Sequence, residues 1–190
     1  MIASFQLSVS DRMIAGVLHL PEERQSSPWV VVCHGLFSSM ASEKFTQLAE
    51  LLCRSGIAAL RFDFSGCGAS TGSIADTTVT RRLQELEAVV GFADSHAALG
   101  RDCALMGSSL GGFVGLLFAA RRPFKALSLW ATPCDLAVIK DNIPAQATPL
   151  TYSNTFVMQG EVCPNGDWDY YYFNGANADR VVVDINAMSS

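Results

Sequence analysis

The chain has 190 residues, a formal net charge of −5, 49% hydrophobic residues and 16% charged ones. That length suffices to bury one core, so a single domain over 1–190 is expected. The acidic balance, with no basic cluster beyond the pairs Arg81-Arg82 and Arg121-Arg122, argues against nucleic acid as a partner.

The first residues, MIASFQLSVSDR, show no basic start followed by an apolar run. No signal peptide is read there, and a cytoplasmic location is expected. Residues 4–9 and 13–20 form two apolar-rich strand patterns joined by Ser10-Asp11-Arg12, and Pro21 ends the pair because proline cannot donate to a ladder. WVVVC, 29–33, is a short β-branched run of the kind buried on both faces of a sheet. Phe45, Leu48, Ala49 and Leu52 then follow helical spacing across 42–55, stopped by Gly56.

IAALRF, 57–62, is the next strand, followed by the glycine- and serine-rich loop FSGCGASTGS. Thr77 or Thr78 caps a second helix whose inner face carries Val79, Leu83, Leu86 and Val90. CALM, 103–106, reads as a third core strand, Leu110–Ala120 as a helix apolar almost all round, and KALSLWA, 125–131, as a fourth strand. The uncharged run from Cys103 to Ala120 approaches bilayer-spanning length. Its four glycines and two serines, flanked by Arg101, Asp102, Arg121 and Arg122, fit strand, turn and buried helix better, so no membrane partner is expected.

This alternation predicts an α/β fold, a mainly parallel sheet flanked by helices. From residue 133 the rhythm fails. NTFVMQG (154–160) and VVVDI (181–185) are candidate strands, and Asn165-Gly166 and Asn174-Gly175 are hairpin signals. The expected division is a core over 1–132 and a divergent tail over 133–190, irregular or antiparallel and packed on the sheet edge. The usual last strands of such a sheet are expected to be missing, leaving an edge that a second copy would cover as a homodimer.

Gly107-Ser108-Ser109-Leu110-Gly111 fits G-x-S-x-G with Ser109 central. A nucleophile on a sharp strand-to-helix turn needs a strained backbone and small residues two positions away, which Gly107 and Gly111 supply. Ser108 occupies the unconstrained position. Directly after the first core strand come Cys33-His34-Gly35-Leu36-Phe37. Gly35 lets the chain turn so that the Leu36 N–H, paired with that of Leu110, forms an oxyanion hole. His34 is read as a buried imidazole bracing this loop rather than as a base. Gly66-x-Gly68 meets neither nucleotide fingerprint, and Asp63 is expected to fix its turn through backbone amides. The six cysteines are irregularly spaced with no C-x-x-C pair, so they are expected reduced, with no metal site and no cofactor.

His34-Gly35, the Asp63-to-Gly72 loop and LMGSSLGG around Ser109, in that order, resemble the α/β-hydrolase superfamily. The likeness spans roughly residues 5–135 and comes nearest to small bacterial esterases of the cinnamoyl and feruloyl type. It implies a serine hydrolase acting on a small-molecule ester, with Ser109 as nucleophile and Leu36 and Leu110 giving the oxyanion amides. The superfamily orders its triad as Ser, acid, His. Here the three histidines, His19, His34 and His96, all precede Ser109. Asp135, Asp167, Asp169, Asp179 and Asp184 are available acids. The expectation is therefore a weak esterase, because loss of a triad member still leaves ~10³–10⁴-fold catalysis over water. The alternative is a non-catalytic binding protein or a remnant whose tail was replaced.

Overall fold

The computed structural model describes residues 1–22 and 26–133 in full, and the backbone of 169–174 and 180–185. β1 (Ile2–Val9) and β2 (Arg12–His19) form the expected hairpin, with Ser10 turning at φ 54°. β3 (Ser27–Cys33), β4 (Ala58–Phe62), β5 (Leu99–Ser108) and β6 (Ala126–Trp130) pair in parallel, alternating with α1 (Glu43–Arg54), α2 (Val79–Ser95) and α3 (Leu110–Ala119). The sheet order is β1-β2-β4-β3-β5-β6-β8-β7, with β7 (Asp169–Asn174) and β8 (Arg180–Ile185) from the tail.

Local chemistry sets these boundaries. α1 presents Phe45 and Ala49 inward, as its spacing predicts, and Gly56 at φ 78° ends it. The Thr78 hydroxyl accepts the Arg81 N–H at 3.1 Å and so caps α2. α2 buries Val79, Leu83, Leu86 and Val90 as expected. β3 alternates its contacts. Val31 and Cys33 face α2 and α3, whereas Val32 packs with Phe45 of α1 and Met106 of β5. Cys33 and Cys103 are buried, and burial pushes both thiols up, that of Cys103 to about 12. They serve as small apolar residues.

Two expectations are corrected. β5 begins at Leu99, four residues before CALM, because Leu99 bridges to Ser27 across a register shift and the Trp29 indole donates to the Gly100 carbonyl at 3.0 Å. Nor does the sheet stop at β6. β8 pairs with it in parallel and β7 pairs with β8 antiparallel, so β1 and β7 are the outer strands. The run VVVDI does form a strand, which pairs in parallel with β6 and carries the antiparallel β7 on its other side, as expected of a tail packed on the sheet edge. NTFVMQG and Asn165-Gly166 lie outside the described residues. The run Cys103–Ala120 divides between β5 and α3, and among the described residues no helix is long and apolar enough to cross a membrane.

Candidate active site

In a parallel sheet the carboxyl ends of the strands share one edge, and there β5 hands the chain to α3 through Ser109. Its backbone has φ 52° and ψ −126°. A non-glycine residue held so costs about 1–3 kcal/mol and persists only where its surroundings impose it. The Ser109 N–H donates to the Trp130 carbonyl at 2.8 Å, and the Ser109 carbonyl accepts the Gly112 N–H at 2.9 Å. The side chain is half-buried, makes no capping bond to α3, and among the described residues its Oγ has no hydrogen-bond partner. Ser108, by contrast, is buried in the strand and accepts a bond from Lys44 Nζ at 3.4 Å. The two neighbouring serines have different surroundings, and only Ser109 is presented to the edge.

Backbone approach explains the glycines. A Cβ on Gly107 would lie 2.8 Å from the Gly111 carbonyl oxygen, and one on Gly111 would overlap the carbonyl oxygens of Cys33 and His34. The elbow therefore sits directly against the end of β3. A Cβ on Gly35 would lie 3.2 Å from the Ser109 Cβ and 3.8 Å from its Oγ, which brings the His34-Gly35-Leu36 turn beside the hydroxyl.

His34 is 1% exposed. The Phe64 N–H donates to its Nε2 at 3.0 Å, so the proton is assigned to Nδ1, which donates to the Gly35 carbonyl at 2.7 Å. A planar trans peptide points its C=O and N–H in opposite directions, and no described peptide is cis. Holding the Gly35 carbonyl therefore aims the Leu36 N–H the other way. Neither the Leu36 nor the Leu110 N–H donates to a protein acceptor among the described residues. Burial lowers the His34 pKa to about 4, the bond to Gly35 opposing it and the Arg82 charge adding to it. This imidazole is neutral with both nitrogens engaged by backbone groups of the two loops.

The loop after β4 is organised by Asp63. Its Oδ1 accepts the Met40 N–H at 2.6 Å and its Oδ2 the Ala69 N–H at 2.8 Å, as expected of a turn-fixing carboxylate. Behind the His34-Gly35-Leu36 turn lies a group that no motif in the sequence announces. The Leu36 carbonyl accepts from Arg82 Nη2 at 3.4 Å and from the Cys67 thiol at 3.5 Å. Arg82 covers the Phe64 ring at 4.4 Å, and Glu85 Oε2 accepts the Ser65 N–H at 3.1 Å. Burial draws the Arg82 pKa down, with Cys67 and Glu85 opposing. A signal was present: Arg82 falls three residues after Val79 and Glu85 three after that, two charges among the apolar residues of the buried face.

The remaining histidines lie elsewhere. His19 Nε2 faces Arg61 Nη2 at 2.8 Å, and burial, then the Arg61 charge, lowers its pKa. His96 follows α2 at the opposite edge of the sheet and accepts the Ala98 N–H at 3.3 Å. Of the candidate acids, Asp135, Asp167 and Asp179 lie outside the described residues, and Asp169 pairs with Ile185 in the β7–β8 ladder. Asp184 stands in the row Ser108–Trp130–Asp184 across β5, β6 and β8, level with the elbow.

The arrangement offers a hydroxyl at the start of a buried helix, where the positive end of the dipole and free N–H groups favour negative charge. Among the described residues no cluster of His, Cys, Asp or Glu is placed to hold a metal ion. Comparison with known proteins gives the same fold. The structure of Est1E from Butyrivibrio proteoclasticus bound to ferulic acid superposes with a TM-score of 0.67 at 23% identity, covering 83% of this chain and 66% of that one. A putative hydrolase from Agrobacterium vitis S4 superposes at 0.66 with 24% identity over 96% of this chain and 68% of its own. At such identities the likeness concerns the fold. The mitochondrial palmitoyl-protein thioesterase ABHD10 of Rattus norvegicus is 30% identical over 142 residues, 75% of this chain but 43% of that protein. The chain thus spans less than half the length of that relative. The profile of the Hydrolase_4 family, described as serine aminopeptidase, S33, matches residues 24–170, and the chain belongs to this family of α/β hydrolases.

Proposed function

We propose that this chain is a serine hydrolase of the carboxylic-ester class. Ser109 Oγ attacks the acyl carbonyl carbon, and the N–H groups of Leu36 and Leu110 receive the developing oxyanion. The bond to the leaving group then breaks, the serine proton leaves with that group, and water releases the acyl group from Ser109. The observation that carries the reading is the strained backbone of Ser109, φ 52°, held beside Gly35 with its hydroxyl unengaged among the described residues. The chemistry needs neither metal nor cofactor, and its partner is a small acyl ester. The name of the rat relative makes acyl thioesters a class to assay alongside oxygen esters.

Activity is expected to be weak. No histidine follows Ser109 in this chain, and the three present are engaged elsewhere or distant. Oxyanion donors and binding alone leave ~10³–10⁴-fold catalysis over water. The same observation favours the second reading, a binding protein on a hydrolase scaffold. A fluorophosphonate probe, with p-nitrophenyl ester and acyl thioester turnover, separates the two. Labelling and saturable turnover that vanish in Ser109→Ala support the enzyme. Folded protein that takes no label, and turns over no faster than Ser109→Ala, sinks it.

A further inference from the structure

α2 carries a charge where its pattern calls for an apolar side chain. Arg82 is 1% exposed, and among the described residues no carboxylate oxygen comes within 4.0 Å of its nitrogens. Among the described residues its Nε and Nη1 have no hydrogen-bond partner. Replacing both members of a buried pair of opposite charges by apolar groups is often neutral or stabilising, whereas removing one member is destabilising. Glu85, 2% exposed and three residues on, balances part of this charge, but that balance does not account for where the guanidinium reaches.

Its contacts do. Nη2 reaches the Leu36 carbonyl at 3.4 Å beside the Cys67 thiol, and the guanidinium covers Phe64, whose N–H holds His34. The two peptides that meet at the Leu36 Cα are thus each held by their carbonyls. His34 holds the peptide of Gly35 and Leu36, while Arg82 and Cys67 hold the next. We propose that Arg82 is the positioning residue of the oxyanion site: it fixes the peptide that follows Leu36, and through it the direction of the Leu36 N–H, and sets a fixed positive charge behind that loop. The inference rests on the hydrolase reading above for its catalytic consequence. Its geometric part stands separately.

The test uses Arg82→Met, which keeps length without charge or donors, and Arg82→Lys, which keeps charge without the fork. Four quantities are read: kcat and KM on an activated aryl ester, the rate of fluorophosphonate labelling, the urea midpoint, and amide hydrogen exchange over 34–38. Arg82→Met leaves Glu85 without its opposing charge, so its urea midpoint should fall, while the folded variant should keep KM within about twofold. Its kcat and labelling rate should fall about ten- to a hundredfold, the scale of a small misplacement of reacting groups. Arg82→Lys should recover part of the loss, and exchange over 34–38 should rise in Arg82→Met while the rest of the sheet is unchanged. Folded Arg82→Met reacting at the wild-type rate overturns the proposal. Should Arg82→Met fail to fold, folded Arg82→Lys with wild-type kcat overturns it, and a selective fall in kcat upholds it. Should the wild type neither label nor turn over, the hydrolase reading falls and exchange decides: faster exchange over 34–38 in either folded variant upholds the clamp, and unchanged exchange overturns it.

Discussion

Glycine in place of Ser109 should make the protein more stable than alanine does, a reversal of the ordinary order. Ser109 holds φ 52° and ψ −126°, a conformation any Cβ resists, so Ser109→Ala keeps the strain and Ser109→Gly releases it. The release is about 1–3 kcal/mol. Against it stands the extra backbone entropy of glycine in the unfolded chain, about 0.5–1 kcal/mol. The balance favours Ser109→Gly over Ser109→Ala by about 1 kcal/mol, or about 2–4 °C in Tm for a chain of this size. Urea titration and calorimetry of the two variants, both without the hydroxyl, isolate the backbone effect. If Ser109→Gly is the less stable by the usual margin, the elbow is not strained and the argument that the fold pays to present this hydroxyl fails.

Stability should also fall as pH drops from about 6.5 towards about 4. His34 is held neutral when folded, with a pKa of about 4, so across that window the unfolded chain binds a proton that the folded chain does not. The contribution, complete above the ordinary histidine value and lost on acidification, is about 3 kcal/mol, and the lowered pKa of His19 acts in the same direction. Urea unfolding at pH 7.5 and 4.5 reads it: His34→Gln should show a shallower slope, and a wild-type profile flat across the window refutes the assignment. Asp63→Asn should lower stability at pH 7 by about 1.5–3 kcal/mol, because an amide cannot accept both the Met40 and Ala69 N–H groups. An unchanged urea midpoint would show that those two bonds do not hold the loop.

Elements whose signal is local were legible in the sequence. The apolar spacing of α1 and α2, the Thr78 cap and the β-branched run of β3 each state their own structure within a few residues. The elbow was legible because the clash that forbids a Cβ at Gly107 lies within the motif itself. The Gly111 clash, against the end of β3, could not be read from that motif alone. The early start of β5 was hidden for a similar reason: Gly100 and Arg101-Asp102 precede the apolar run CALM, and only the Trp29 indole and the Ser27–Leu99 bridge extend the strand through them. Likewise the place of β8 follows from pairing with β6, a long-range contact that a turn-rich tail does not announce. At the site, His34 as a brace was readable from its position after β3. The Arg82 clamp joins a helix, a loop and a strand end whose meeting no short motif records.

The strand order carries a consequence for how the molecule is made. β1 and β2 are neighbours in sequence and can close as soon as they leave the ribosome, whereas β3 is flanked by β4 and β5, whose pairing residues extend to Gly107. Until some seventy further residues have emerged, the most apolar strand of the chain has an open side. Parallel pairing over such separations is intrinsically slow and leaves strand edges open to aggregation meanwhile. The elbow is assembled later still, since its amide waits for the Trp130 carbonyl at the end of β6. The Ser109 hydroxyl is therefore among the last parts of the core to take its place during synthesis.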